Sequence, residues 1–424
     1  MLYSTKMKQN YPSTPQWIIV KEDFMTPKER ILATLSGQPT DTLPFIPRLD
    51  IWYNANSQNG TLPAPYQHAT LREMVDDLGL GYHAIIPDFK DFIDPELGDL
   101  DVGLGIYHLK NHPYRIKLHN VRRTYERTGD GILKVKYETP KGDITTTVIH
   151  SQDMKKNGIT LYVIKEHAIK SMDDYPAMKY IFDNMEVIPD YENYTRFQQE
   201  FIGERGVAVT LSAMWASPGH YLIKELMAFD TYYYEQYDNP DEMNEFIEQI
   251  TPFSSKLFEA ALDSPAEVIL SGANYDTSFT APSMFEEYIM PALKEQSDRA
   301  HARGKYLATH TDGENTGLME LYLKSGFDIA DSICPAPMTK ISLEDTRRMF
   351  GDTCTVWGGI PSISVLEDSM NDLTFKRFVE EKFENLGRGD HLILSVADTV
   401  PPAAKFDRIL YLKKKAEEFG PVTP

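Results

Sequence analysis

The densest concentration of reactive side chains is Thr309-His310-Thr311-Asp312-Gly313-Glu314. His-x-Asp at the end of an apolar run can place an imidazole and a carboxylate on one side of the chain, which suits a metal ion or an acid/base pair. A hydrogen-bonded structural histidine is the plain alternative. Asp398, past the run His391–Val396, is a third candidate ligand or a cap for the turn before Pro401-Pro402. Cys334, in Asp331-Ser-Ile-Cys-Pro-Ala-Pro, offers a thiolate ligand or nucleophile, although free cysteines commonly act as small buried hydrophobes. Asn274 and Asp276 could orient a substrate or satisfy loop backbone. Trp52, Trp215, Trp357 and Tyr275 could line an apolar pocket for a flat substrate, or pack helices on a sheet. Arg48, Asp50, Asp88, Met214 and Asp331 also stand at the ends of apolar runs.

These residues need elements to position them. Eight short apolar runs read as strands: Leu43–Leu49, Tyr82–Pro87, Val207–Ser212, Val268–Gly272, Lys305–Thr309, Asp328–Ser332, Cys354–Gly358 and His391–Val396. Helical patterns lie between most of them, among them Leu71–Leu78, Ser283–Arg303 and Phe406–Phe419. Such alternation predicts a parallel sheet buried on both faces, and eight units are what a closed (β/α)8 TIM barrel needs. A doubly wound open sheet is the rival, weakened by the absence of a GxGxxG or GxxxxGK[ST] loop after any strand. In a barrel the active site lies at the carboxyl ends of the strands, where the candidates cluster.

The first run is the weakest, because Pro44 and Pro47 remove two ladder donors. Ahead of it, Thr26-Pro27-Lys28-Glu29 carries the residues of a capped helix start. Residues 1–25 then form an expected arm that could pack on a neighbouring subunit of a homo-oligomer, and 26–424 the barrel domain. From about 103 to 162 the alternation is interrupted. Leu133, Val135, Tyr137 and Thr139 alternate with charged residues between Gly- and Asp-containing turns, predicting an inserted antiparallel β-meander over at least 115–150. Between Lys110 and Lys136 the local charge is +6, a docking face for an acidic partner or simply a solvated hairpin.

Composition bounds the function. The 424 residues, 42% hydrophobic, can build a large core, and 63 acidic against 43 basic side chains repel a phosphate backbone, so general nucleic-acid binding is not expected. Two cysteines, Cys334 and Cys354, exclude a disulfide framework and a four-cysteine zinc module. The opening residues lack the apolar centre of a secretory signal, and no run is long and apolar enough for a membrane span. The expectation is a cytoplasmic protein with no membrane association.

Several segments together resemble the uroporphyrinogen decarboxylase superfamily: Met25-Thr-Pro-Lys-Glu-Arg-Ile-Leu-Ala-Thr-Leu with Thr42-Leu-Pro, Gly304-Lys-Tyr-Leu-Ala-Thr-His-Thr-Asp-Gly, Gly326-Phe-Asp-Ile and Trp357-Gly-Gly-Ile-Pro. The resemblance spans roughly residues 25 to 420 and implies a (β/α)8 barrel. The superfamily's decarboxylases carry an arginine-rich segment near the first strand to grip substrate carboxylates, whereas this chain has Arg48 alone. Its corrinoid-dependent methyltransferases are closer in layout. Their zinc-binding members have His-x-Cys and a later Cys; here His310 remains, Asp312 follows, and the later position falls in Ser395-Val-Ala-Asp398. Oxygen ligands could still hold zinc.

The resemblance therefore implies a methyltransferase of the O-demethylase type. It would move a methyl group between a small methylated, methoxyaromatic substrate and a corrinoid (cobalamin) carried by a partner protein. His310 and Asp312 are the expected catalytic residues, joined by Asp398 if zinc is held. Arg48, Asp50, Trp52, Trp215, Asn274, Asp276, Cys334 and Trp357 are the expected substrate-binding set. Two alternatives remain: a lyase acting on a smaller carboxylic acid, with Arg48 as anchor and Asp50 or Asp88 as proton relay, and a barrel that binds a partner without catalysis.

Overall fold

Thr26 caps the first described helix as the residues dictate. Its hydroxyl accepts the Glu29 N–H at 3.2 Å and the Glu29 carboxylate accepts the Thr26 N–H at 2.7 Å, a reciprocal cap on the helix Pro27–Leu35. The computed structural model describes residues 24–83, 85–86 and 92–424. The expected arm, apart from its last two residues, and Asp88 lie outside the described residues.

Seven strands make one sheet in chain order: Ile85–Ile86, Val209–Ala213, Val268–Ala273, Tyr306–His310, Ile329–Ile333, Thr355–Ile360 and Leu392–Val396. Every neighbouring pair is parallel. Four of them, Val268–Ala273, Ile329–Ile333, Thr355–Ile360 and Leu392–Val396, are buried along their whole length, as a sheet covered on both faces requires. Helices return the chain between strands, including Pro240–Leu262, Met290–Ala302, Met319–Ser325, Leu343–Phe350 and Asp372–Asn385, with Phe406–Phe419 closing the chain. The expected helix over 283–303 is divided. A π turn, Phe285–Ile289, precedes Met290–Ala302, whose start holds Pro291, a residue with no N–H to continue the ladder.

The run Leu43–Leu49 is not a strand. Phe45 makes a single parallel bridge to Leu394, with Ile46 N–H donating to Leu394 O at 2.9 Å and Leu394 N–H to Pro44 O at 2.8 Å. Pro44 and Pro47 stop the ladder there. The segment still takes the eighth place, beside Leu392–Val396. No ladder joins it to Ile85–Ile86 among the described residues, so the fold shown is α/β with a parallel sheet.

The interruption is antiparallel. Arg122–Thr128, Ile132–Thr139, Gly142–Ile149 and Val163–Glu166 form a four-stranded meander. Leu133, Val135 and Tyr137 are buried while Lys134 is exposed, the alternation read from the sequence. Its extent differs from the expected 103–162. A second ladder pairs Tyr114–Leu118 with Met185–Pro189 and so carries the excursion to Pro189. The outer strand, half-exposed and ending at a proline, carries too little apolar pattern to be read as one.

Five of the eight cations between Lys110 and Lys136 are taken up in ion pairs. Arg122 pairs with Glu138, Arg123 with Asp101, Arg127 with Asp99, Arg115 with Asp190 and Lys136 with Asp143. Among the described residues no helix is long and apolar enough to cross a membrane.

Candidate active site

The parallel register sets His310, the last residue of Tyr306–His310, opposite Asp331. Imidazole Nδ1–H donates to Asp331 Oδ2 at 2.6 Å. A carboxylate can only accept there, so the proton sits on Nδ1 and the ring turns Nε2 toward Asp398 Oδ1, 3.4 Å away. Asp398 follows Leu392–Val396 in a left-handed backbone conformation, φ 56°. Behind it, Arg48 Nη1 lies 3.7 Å from Asp398 Oδ1, and the same guanidinium donates to both oxygens of Asp50 at 3.2 and 3.4 Å. On the far side, His83 Nε2 approaches Asp331 Oδ1 at 3.2 Å, with its ring stacked 4.4 Å from Trp357. A chain of alternating charge thus crosses the carboxyl ends of the sheet.

Burial disfavours the His310 imidazolium, but the hydrogen bonds to Asp331 and Asp398 outweigh it and raise its pKa to about 10. Burial would likewise raise Asp331, yet His83 and His310 hold it far below the usual carboxylate range. Asp398 is lowered because His310 and Arg48 overcome its burial. Asp312 is raised, by burial and then by the charge of Asp398.

His310, Asp312 and Asp398 each bring one donor atom within 4.8 Å of the others. One imidazole nitrogen and two carboxylate oxygens fit a divalent ion, and Asp331 on Nδ1 is the support such a histidine needs to hold its tautomer. The set is harder than one containing thiolates and suits zinc or an oxygen-preferring metal.

A cavity of about 200 Å³ opens onto His310 and Asp398. Arg48, Asn274, His310 and Asp398 supply its polar wall, and Ile51, Leu211, Met214 and Leu270 much of the apolar one. Ile159, Thr160 and Leu161, from the connection between Gly142–Ile149 and Val163–Glu166, line it as well. Asn274, φ 61°, donates its backbone N–H to His310 O at 2.9 Å and is part of this wall.

Other expected binding residues serve the scaffold. Trp52 lies on the helix Asp50–Asn59, donates to Ala404 O at 3.0 Å and stacks on Phe406. Trp215 stacks face to face on Tyr221 at 3.5 Å, and Trp357 donates to Ile46 O at 3.3 Å while backing His83. All three are buried and none lines the cavity, which corrects their expected place on its wall. Cys334 donates its S–H to Met338 Sδ at 3.4 Å, and burial with the Asp312 and Asp398 charges pushes the thiol up to about 12. That environment favours the protonated thiol over the thiolate. Asp276 uses one oxygen on Ser278 N–H and the other on Glu314 N–H, at 2.7 and 2.8 Å, fixing the loop. Asp50 reaches the site only through Arg48.

Three contributions escaped the sequence reading: His83, the pairing role of Asp331, and the cavity-lining residues 159–161. A strand alignment placing Asp331 level with His310 is the signal that finds the second.

The strand ends also fix how tightly the site is built. Gly272 has φ 77°, and a Cβ there would collide with Tyr275 Oη and Ala216. Tyr275 Oη in turn bonds Thr309 Oγ1 at 2.7 Å, next to His310. Gly272→Ala is expected to destabilise the fold by about 2–4 kcal/mol in urea denaturation; a loss within about 0.5 kcal/mol would show a looser strand end.

The family model described as Uroporphyrinogen decarboxylase (URO-D) matches residues 159–419. That span holds His310, Asp312, Asp331 and Asp398, and leaves Arg48 and His83 outside. Among solved structures, a methyltransferase from Methanosarcina mazei matches with a TM-score of 0.50 at 14% identity, over 93% of this chain and 99% of that one. No curated protein matches this chain.

Proposed function

The chain belongs to the uroporphyrinogen decarboxylase family, and on that premise we propose that it is a methyltransferase acting on a small methoxyaromatic compound. The acceptor would be a corrinoid carried by a partner protein. In this reading the eight sheet positions close as a (β/α)8 barrel, with the His310 cavity at its carboxyl-end mouth. The likeness to the Methanosarcina mazei methyltransferase supports that arrangement of the chain.

One observation carries the choice of substrate. Among the described residues the two cations on the cavity wall already face carboxylates, Arg48 those of Asp50 and Asp398 and the His310 imidazolium those of Asp331 and Asp398, and the remaining wall is largely apolar. A porphyrinogen bearing many carboxylates needs several unpaired cations. The methoxy end of an aromatic ring needs an apolar wall and one proton donor there.

The residues divide the work. Leu211, Met214 and Leu270 bury the ring and exclude water, and Asp331 aims His310. As the methyl group departs, the C–O electron pair stays on the ring oxygen, and the proton held at His310 Nε2 passes to that oxygen. An acid with a pKa of about 10 is matched to a phenolic leaving group. When bound on its partner, the corrinoid would supply the nucleophile for the methyl group. Were a divalent ion held instead by Asp312, Asp398 and an unprotonated His310 Nε2, its Lewis acidity would stabilise the leaving oxygen in place of that proton.

The test is incubation of the purified chain with free cob(I)alamin and a panel of methoxyarenes, methylamines and methyl thiols, followed by cobalamin absorbance. Methylation with a methoxyarene is the expected result. If no donor gives methylation and a carboxylic acid releases CO2, the lyase reading replaces this one.

A further inference from the structure

A second cavity, of about 440 Å³, adjoins the first. Asn274 lines both, and Asp312 of the His310 cluster lines the second. Lys224, half-buried on the π turn Leu222–Leu226, supplies its cation. Among the described residues Lys224 has no ion pair or hydrogen bond; it senses Glu225 and Asp312 only through their more distant charges. A cation so placed gives up hydration without recovering it, and a ligand anion would restore the balance.

The neighbours define that anion. Asp276 already accepts a backbone N–H on each of its oxygens, which ties it to its own loop. His220 Nδ1 accepts the Ala216 N–H at 3.1 Å, which makes the neutral ring the Nε2–H tautomer, a second donor on this wall. Ile223, Met227, Phe229 and Phe279 form the apolar side. One cation and one neutral donor suit a single negative charge on an apolar body. A phosphate dianion would find too few donors, and would meet Asp312.

Resting on the methyl-transfer reading, we propose that the methyl donor carries a carboxylate, that Lys224 binds it, and that the methylated end extends past Asn274 to His310. Lys224 is then the residue that selects acidic over neutral donors.

The experiment is calorimetric titration of the full chain with para-methoxybenzoate and with para-methylanisole, which replaces the carboxylate by a neutral methyl group. Wild type should bind the benzoate at least roughly tenfold more tightly. Lys224→Met should lose about that factor for the benzoate and none for the anisole, and Lys224→Arg should keep most of it. Equal affinity of wild type for the two probes, or unchanged benzoate binding in Lys224→Met, overturns the proposal. Should Lys224→Met fail to fold, the wild-type preference and the Lys224→Arg titration decide. Tight, Lys224-dependent benzoate binding without methylation of cobalamin would sustain the anion site and remove the methyltransferase reading.

Discussion

His310→Ala is expected to lower methyl transfer by about 10²–10⁴-fold, the range for loss of a positioned proton donor. The ring is the single group that joins Asp331, Asp398 and the cavity. If the purified chain holds a divalent ion, the same substitution should abolish metal content, since the other two donors in the set, Asp312 and Asp398, are carboxylates. Metal retained at full stoichiometry would place the metal site elsewhere. Asp331→Asn separates holding the ring from reacting: the substituted amide can still bond the ring but no longer fixes the proton on Nδ1. A fall of about 10–100-fold is expected, mostly in kcat. Turnover with a given donor and elemental analysis of each variant check both statements, and wild-type turnover by His310→Ala would end the assignment.

Why the site was only half legible follows from what each residue depends on. His310, Asp312 and Asp398 were readable because each stands just past a short, mostly apolar run, and a buried parallel strand is the most local signal in the chain. His83 and Asp331 depend on register between strands far apart in sequence, which no local pattern encodes. The tryptophans show the converse. Their chemistry suits a pocket wall and a core equally well, and packing partners decide: Phe406 for Trp52, Tyr221 for Trp215, His83 for Trp357. The cationic run of the insertion was visible as charge, but Arg122 faces Glu138 only through the hairpin register. Leu43–Leu49 holds the place expected of it while lacking the ladder, since two prolines remove the donors but leave Phe45 and Ile46 to pack.

Glu225→Gln should stabilise the protein at pH 8 by about 3 kcal/mol and change little at pH 4, the size following from roughly 1.4 kcal/mol per pKa unit. Glu225 sits beside Lys224 on the π turn, 5% exposed, with its Cβ and Cγ against Gly105. Burial raises its pKa from 4.5 to about 7, and the charge of Lys224 offsets this only in part. A carboxyl raised in the folded state keeps its proton there after the unfolded chain has lost it. Below about pH 4.5 both states are protonated and burial carries no ionic cost. Between about pH 4.5 and 7 the unfolded state alone ionises, so stability falls as pH rises, and above 7 the full loss is present. Glutamine stays neutral throughout and removes that slope. Urea denaturation of the two proteins at intervals from pH 4 to 8 reads the difference directly, cancelling every other titrating group. A difference independent of pH would mean that Glu225 ionises at its ordinary value, with water or a partner reaching it in solution.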